Sequence, residues 1–90
     1  MDLQITFRHM EHTPALDDII RAKASKFEKW LHGTGKIHWT CFKEKNDFIS
    51  EVKIHHQNKD YFAKAADMDM YKTFDMVVHK LQKQIEKDHF

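Results

Sequence analysis

The apolar residues of this chain switch between two spacings, and the order of the switches leaves few folds open. Leu3, Ile5 and Phe7 alternate with Gln4, Thr6 and Arg8, the period of two that marks a half-buried strand. Leu16, Ile19, Ile20, Ala24, Phe27, Trp30 and Leu31 then share one arc at about 100° per residue, which predicts a helix to about Leu31. Period two returns in Ile37, Trp39 and Cys41, then in Val52, Ile54 and His56, then in Tyr61, Ala63 and Ala65. A second helical arc follows: Met70, Phe74, Val77, Val78, Leu81 and Ile85.

Punctuating residues agree with this division. Thr13 is suited to cap the first helix and Pro14 to open it, with Asp17 and Asp18 near the positive end of its dipole. Gly33 and Gly35 stop that helix. Turns are expected near Asn46-Asp47 and at Asn58-Lys59, and either Asp67 or Asp69 caps the last helix. The predicted fold class is α+β, in the order β-α-β-β-β-α. It forms a two-layer sandwich with both helices on one face of a four-stranded mixed sheet. Strands one and two are expected to be parallel and the rest an antiparallel meander. The other sheet face is left to water. Ninety residues, 41% of them apolar, suit one domain over 1–90.

Several function classes find no support. A single cysteine, Cys41, makes no internal disulfide and fits a reducing, cytoplasmic setting. It shares its strand face with Ile37 and Trp39, which suggests a small buried hydrophobe rather than a nucleophile. Met1 leads straight into strand alternation, leaving no room for a signal peptide. No apolar run approaches the ~18 residues of a membrane span. There is no glycine-rich phosphate loop, nucleophile elbow or paired carboxylate. No enzyme, cofactor or small-molecule substrate is therefore expected. Of eight histidines, His9 and His12 fall in a predicted loop, and His55 and His56 should point to opposite sheet faces. With no cysteine-rich spacing beside them, no metal site is expected.

Lysine and arginine number 15 against 14 acids, a net charge of +1, so any surface for a polyanion must be sorted by face. The last helix is sorted in this way. Lys72, Met76, His79, Lys80, Lys83 and Lys87 fall between about 80° and 180° from Tyr71, opposite the core arc. Asp75, Gln82 and Glu86 lie between stripe and core. On the first helix Lys23, Lys26 and Lys29 step along one flank. Lys23 falls inside the apolar arc, so its stem should pack while its ammonium reaches outward. Side by side, the two helices would border one groove with these lysines, and Arg8 could add a bidentate phosphate contact. A basic stripe often serves only solubility. Its one-sidedness here favours RNA binding, since a solubilising face usually mixes signs.

The run Ala63-Lys64-Ala65-Ala66-Asp67-Met68-Asp69-Met70-Tyr71 is followed by Phe74-Asp75, Lys80-Leu81, Gln84 and Lys87. Upstream stand Arg8-His9, Glu11, Thr13-Pro14-Ala15-Leu16, Lys23 and Lys26-Phe27-Glu28. Together these resemble the bacterial ribosome hibernation promoting factor and protein Y family, over nearly the whole chain. The resemblance implies a fold akin to double-stranded RNA-binding domains. It also implies binding in the decoding channel of the small ribosomal subunit, which blocks messenger and tRNA and silences translation in stationary phase or stress. The matched basic residues are Arg8, Lys23, Lys26, Lys80 and Lys87, with Asp69 and Tyr71 beside them. Lys29, Lys72, His79 and Lys83 come from the stripe pattern instead.

There are departures from the family pattern. Phe7 stands where the family often has glycine, Gln57-Asn58-Lys59 replaces a glycine-bearing hairpin, and Thr73-Phe74 replaces a smaller pair. The tail Lys87-Asp88-His89-Phe90 is less basic than usual. With no second domain, the resemblance is to the short type, which supports ribosome dimers alongside a ribosome modulation factor and is a monomer off the ribosome. Two other readings stay open: a free-standing double-stranded RNA-binding module, and a protein-interaction domain using the open sheet face, where Phe42 is expected to be exposed.

Overall fold

A computed structural model describes residues 1–88; His89 and Phe90 of the tail lie outside the described residues. The elements are β1 (Asp2–Arg8), α1 (Pro14–Trp30), β2 (Lys36–Glu44), β3 (Asp47–His56), β4 (Lys59–Asp67) and α2 (Met70–Asp88). They form a four-stranded sheet in the order β1-β2-β3-β4. β1 and β2 are parallel, and the β2–β3 and β3–β4 pairs antiparallel. α1 packs against β1, α2 packs across β3 and β4, and the helices touch each other. The expected architecture is the one found. Neither helix is long and apolar enough to cross a membrane.

Local chemistry sets the boundaries. Thr13 Oγ1 accepts from the Leu16 amide at 3.2 Å, and the proline expected inside the first turn is there. The helix ends at Leu31, whose N–H bonds the Phe27 carbonyl at 2.8 Å. Gly33 then takes φ +99°, a conformation costly for any residue with a Cβ. Both aspartates considered for the second cap are used. Asp69 accepts from the Tyr71 amide at 2.9 Å, and Asp67 accepts from the Asp69 amide at 2.8 Å. The hairpin turns sit one residue earlier than expected: Glu44 pairs with Asp47, and His56 with Lys59. The loop residues are therefore Lys45-Asn46 and Gln57-Asn58. Gln57 and Asn58 both have positive φ, 50° and 63°, which suits the right-handed twist of a two-residue hairpin.

Trp39, fully buried on β2, joins the two layers. Its ring lies 6.4 Å from Phe27 of α1 and 5.7 Å, edge-on, from Phe74 of α2. Around it pack Ile20, Leu31, Val52, Ile54, Val77 and Leu81. Two buried hydroxyls sit in this core. Thr73 Oγ1 donates to the Met70 carbonyl at 2.6 Å, so the 2.8 Å bond it shares with Ser50 must be donated by Ser50. Ser50 Oγ in turn accepts from Trp39 Nε1 at 3.4 Å, and Cys41 Sγ lies 3.7 Å from it. Burial pushes the Cys41 thiol up, as befits a core side chain. Phe42 and Ile49 are buried too, but they pair with each other on the opposite sheet face.

Candidate nucleic-acid interface

Apart from Arg8, the basic residues of the predicted set lie on the two helices. α2 is regular from Met70 to Asp88, so the arc geometry holds along its length. Lys72, His79, Lys80, Lys83 and Lys87 are all exposed along one stripe, and Lys26 and Lys29 are exposed on α1. Among the described residues, Lys26, Lys29, Lys72, Lys83 and Lys87 have no carboxylate within ion-pair distance.

The acids of the same layer are mostly engaged. Asp75 lies 2.7 Å from Lys23 Nζ, bridging the two helices. Lys23 is half-buried, its stem against packed surface as expected, but its ammonium is spent on this bridge rather than offered outward. Asp17 accepts from Arg21 Nε at 2.5 Å and from His12 Nε2 at 2.9 Å. Those two partners, Arg21 first, hold its carboxyl below the ordinary value of 3.8. Glu28 faces the terminal ammonium of Met1 at 3.5 Å, and Asp88 lies 3.6 Å from Lys59. Glu86 accepts from the Gln82 amide at 3.0 Å. What remains on the helix layer is five free ammonium groups, with Asp18 and Glu86 as exposed carboxylates that no cation meets among the described residues.

Two further residues of the predicted set have structural duties. Lys80 Nζ donates to the Lys64 carbonyl at 2.7 Å. One turn on, the Gln84 side chain donates to the Phe62 carbonyl at 2.6 Å and accepts from the Phe62 amide at 3.3 Å. Lys80 and Gln84 thereby cover the outer edge of β4, which would otherwise offer unpaired backbone to another strand. Asp69 is the helix cap described above. Tyr71 is 54% exposed, its ring edge-on to Phe74 at 6.0 Å.

Arg8 stands apart from the helix lysines. Period two puts it on the same face as Gln4 and Thr6, away from the helices, where its guanidinium covers the Phe42 ring at 4.4 Å. Lys64 approaches the same ring at 5.9 Å. Phe42 is consequently only 9% exposed, contrary to its expected exposure on the open face. The exposed aromatic there is Phe62, at 47%. Its phase was readable in the sequence, since it alternates with Tyr61 and Ala63, which point into the core. The histidine pair does divide across the sheet: His56 is buried with Nε2 2.6 Å from the His32 carbonyl, and His55 is exposed beside Asp60.

Comparison with known proteins follows the same outline. The family described as Sigma 54 modulation protein / S30EA ribosomal protein matches residues 3–89. The ribosome hibernation promoting factor of Klebsiella oxytoca is 32% identical over 87 residues, covering 97% of this chain and 92% of that protein. The ribosome-associated factor Y of Haemophilus influenzae is 32% identical over 87 residues, covering 97% of this chain and 81% of that protein. Among solved structures, a ribosomal subunit interface protein from Coxiella burnetii matches with TM-score 0.86 at 26% identity, covering 99% of this chain and 98% of that one. The N-terminal domain of protein Y from Thermus thermophilus shares the fold, with TM-score 0.88 at 18% identity and coverage of 97% and 98%.

Proposed function

Because the chain belongs to the Sigma 54 modulation protein / S30EA ribosomal protein family, we propose that it is a ribosome hibernation factor that occupies the decoding channel of the small subunit. It works by occlusion and carries out no chemistry. Lys26, Lys29, Lys72, Lys83 and Lys87 neutralise ribosomal RNA phosphates, and the folded body fills space that messenger RNA and tRNA need. Contacts to phosphate position a protein without reading sequence, which suits a partner whose shape is constant. The setting is the cytoplasm in stationary phase or stress, with support of ribosome dimers alongside a modulation factor.

The observation that carries this reading is the sorting of charge across α1 and α2. Free ammonium groups face outward, while Asp17, Glu28 and Asp75 are each matched by a cation. The test is co-sedimentation of the Lys72→Glu/Lys83→Glu variant with purified small subunits. These two lysines have no partner in the fold, so stability should shift by no more than ~0.5 kcal/mol while pelleting is lost. Lys80 is a poorer choice because it also covers the β4 edge. A variant that pellets like the parent would reduce the stripe to solvation. Excess duplex RNA should fail to displace the parent; displacement would favour the free-standing duplex-binding module instead.

A further inference from the structure

The sheet face turned away from the helices holds a half-open trough of about 720 Å³. Register aligns its side chains in rows. Gln4, His38, Lys53 and Phe62 run side by side across all four strands, with Lys36 and His55 paired in the adjoining row. All six line the trough. None belongs to the core or to the lysine stripe.

Three features of this row call for a ligand with a flat face and a negative charge. Phe62 leaves 47% of its surface to solvent, and Gln84 holds both its backbone N–H and its C=O along the outer edge of β4, so the ring projects from a fixed point. Lys36 and Lys53 have no carboxylate within ion-pair distance among the described residues. Two acids also line the trough, at the ends of the Lys36–His55 row: Asp60, held by His55 Nδ1 at 2.6 Å, and Asp2, beside Lys36 in register, which leaves Lys53 as the cation with no acid next to it in its own row. The His38 ring is oriented by Thr6 Oγ1 at 3.0 Å from its Nε2.

The geometry points to a binding site for an unpaired nucleotide, its base stacked on Phe62 and its phosphate between Lys53 and Lys36. Gln4 and His38 are placed to meet the edge of the base. Stacking on an aromatic ring is tolerant of base identity because every base has a π-face. A paired base has both faces covered by its neighbours, so the trough selects unpaired RNA over duplex. The volume lies within the ~300–1,000 Å³ of ordinary small-molecule sites. The same chemistry, base plus phosphate, is offered by a free mononucleotide and by a single-stranded stretch of RNA.

The test uses the full chain carrying Lys72→Glu/Lys83→Glu, which reverses two of the five free lysines of the helix face and so weakens its pull on phosphate, helping to separate this site from the proposed ribosomal one. Isotope-labelled protein is titrated with uridine monophosphate and with a uridine hexamer while amide NMR shifts are followed. The amides of Gln4, His38, Lys53 and Phe62 should move with both ligands. Equal affinity for the two assigns the site to free nucleotides; tighter hexamer binding assigns it to RNA. Phe62→Ala should weaken binding roughly five- to 150-fold, Lys53→Glu should weaken it as well, and Phe62→Tyr should restore it. Shifts confined to residues outside the trough, or unchanged affinity in Phe62→Ala, would overturn the proposal.

Discussion

Ser50 and Thr73 are polar side chains inside an apolar core, and their hydroxyls form one chain of donors from Trp39 through to the Met70 carbonyl. Removing the middle member strands the indole N–H. Leaving a buried donor unmet costs about 1–3 kcal/mol, so Ser50→Ala should lower Tm by several degrees, at ~4–8 °C per kcal/mol for a chain of this size. Thermal unfolding by circular dichroism reads this directly; an unchanged Tm would mean that the indole has no need of the hydroxyl. The link was not legible in the sequence. Thr73 lies just outside the apolar arc of α2, and its partner Ser50 is on β3, so neither residue's local pattern announces the other. Phe42 and Arg8 show the same limit. Alternation gave each its sheet face, but only their side-by-side register makes one the cover of the other.

At the scale of elements, periodicity carried most of the information. Both helices, all four strands and the Thr13 cap are where the spacing puts them, because one face of each element must be buried. The two hairpin turns were displaced by a residue. Asn and Asp mark a turn without specifying its frame, and Lys45 and Gln57 adopt positive φ despite having no special preference for it. The start of α1 also has a pH signature. Arg21, and then His12, lower the Asp17 pKa from its ordinary 3.8. The stabilisation from these contacts is therefore complete above the unfolded value and disappears as pH falls through the folded one. Asp17→Asn should remove that part of the acid limb. Melting curves from neutral pH to about pH 2 should show the parent losing more stability than the variant; parallel losses would contradict the assignment.

The whole molecule is nearly neutral, yet its charge is unevenly placed. The unevenness is local: the outer stripe of α2 carries Lys72, His79, Lys80, Lys83 and Lys87, with Asp75 and Glu86 to its side, whereas acids and bases are interspersed along the strands. Sequence arcs revealed the stripe. They could not reveal that Lys23 would be neutralised by Asp75, nor that Lys80 would serve the β4 edge, since both depend on how the layers meet. A protein attracted by phosphates through a few free lysines must release counterions on binding. The affinity for small subunits, measured across a series of salt concentrations, tests this most directly. Each phosphate contact contributes a log–log slope of about −0.7 to −0.9. The parent should show a steep decline, and Lys72→Ala/Lys83→Ala a decline shallower by about 1.4–1.8. Equal slopes for the two proteins, or a flat response in the parent, would contradict the account.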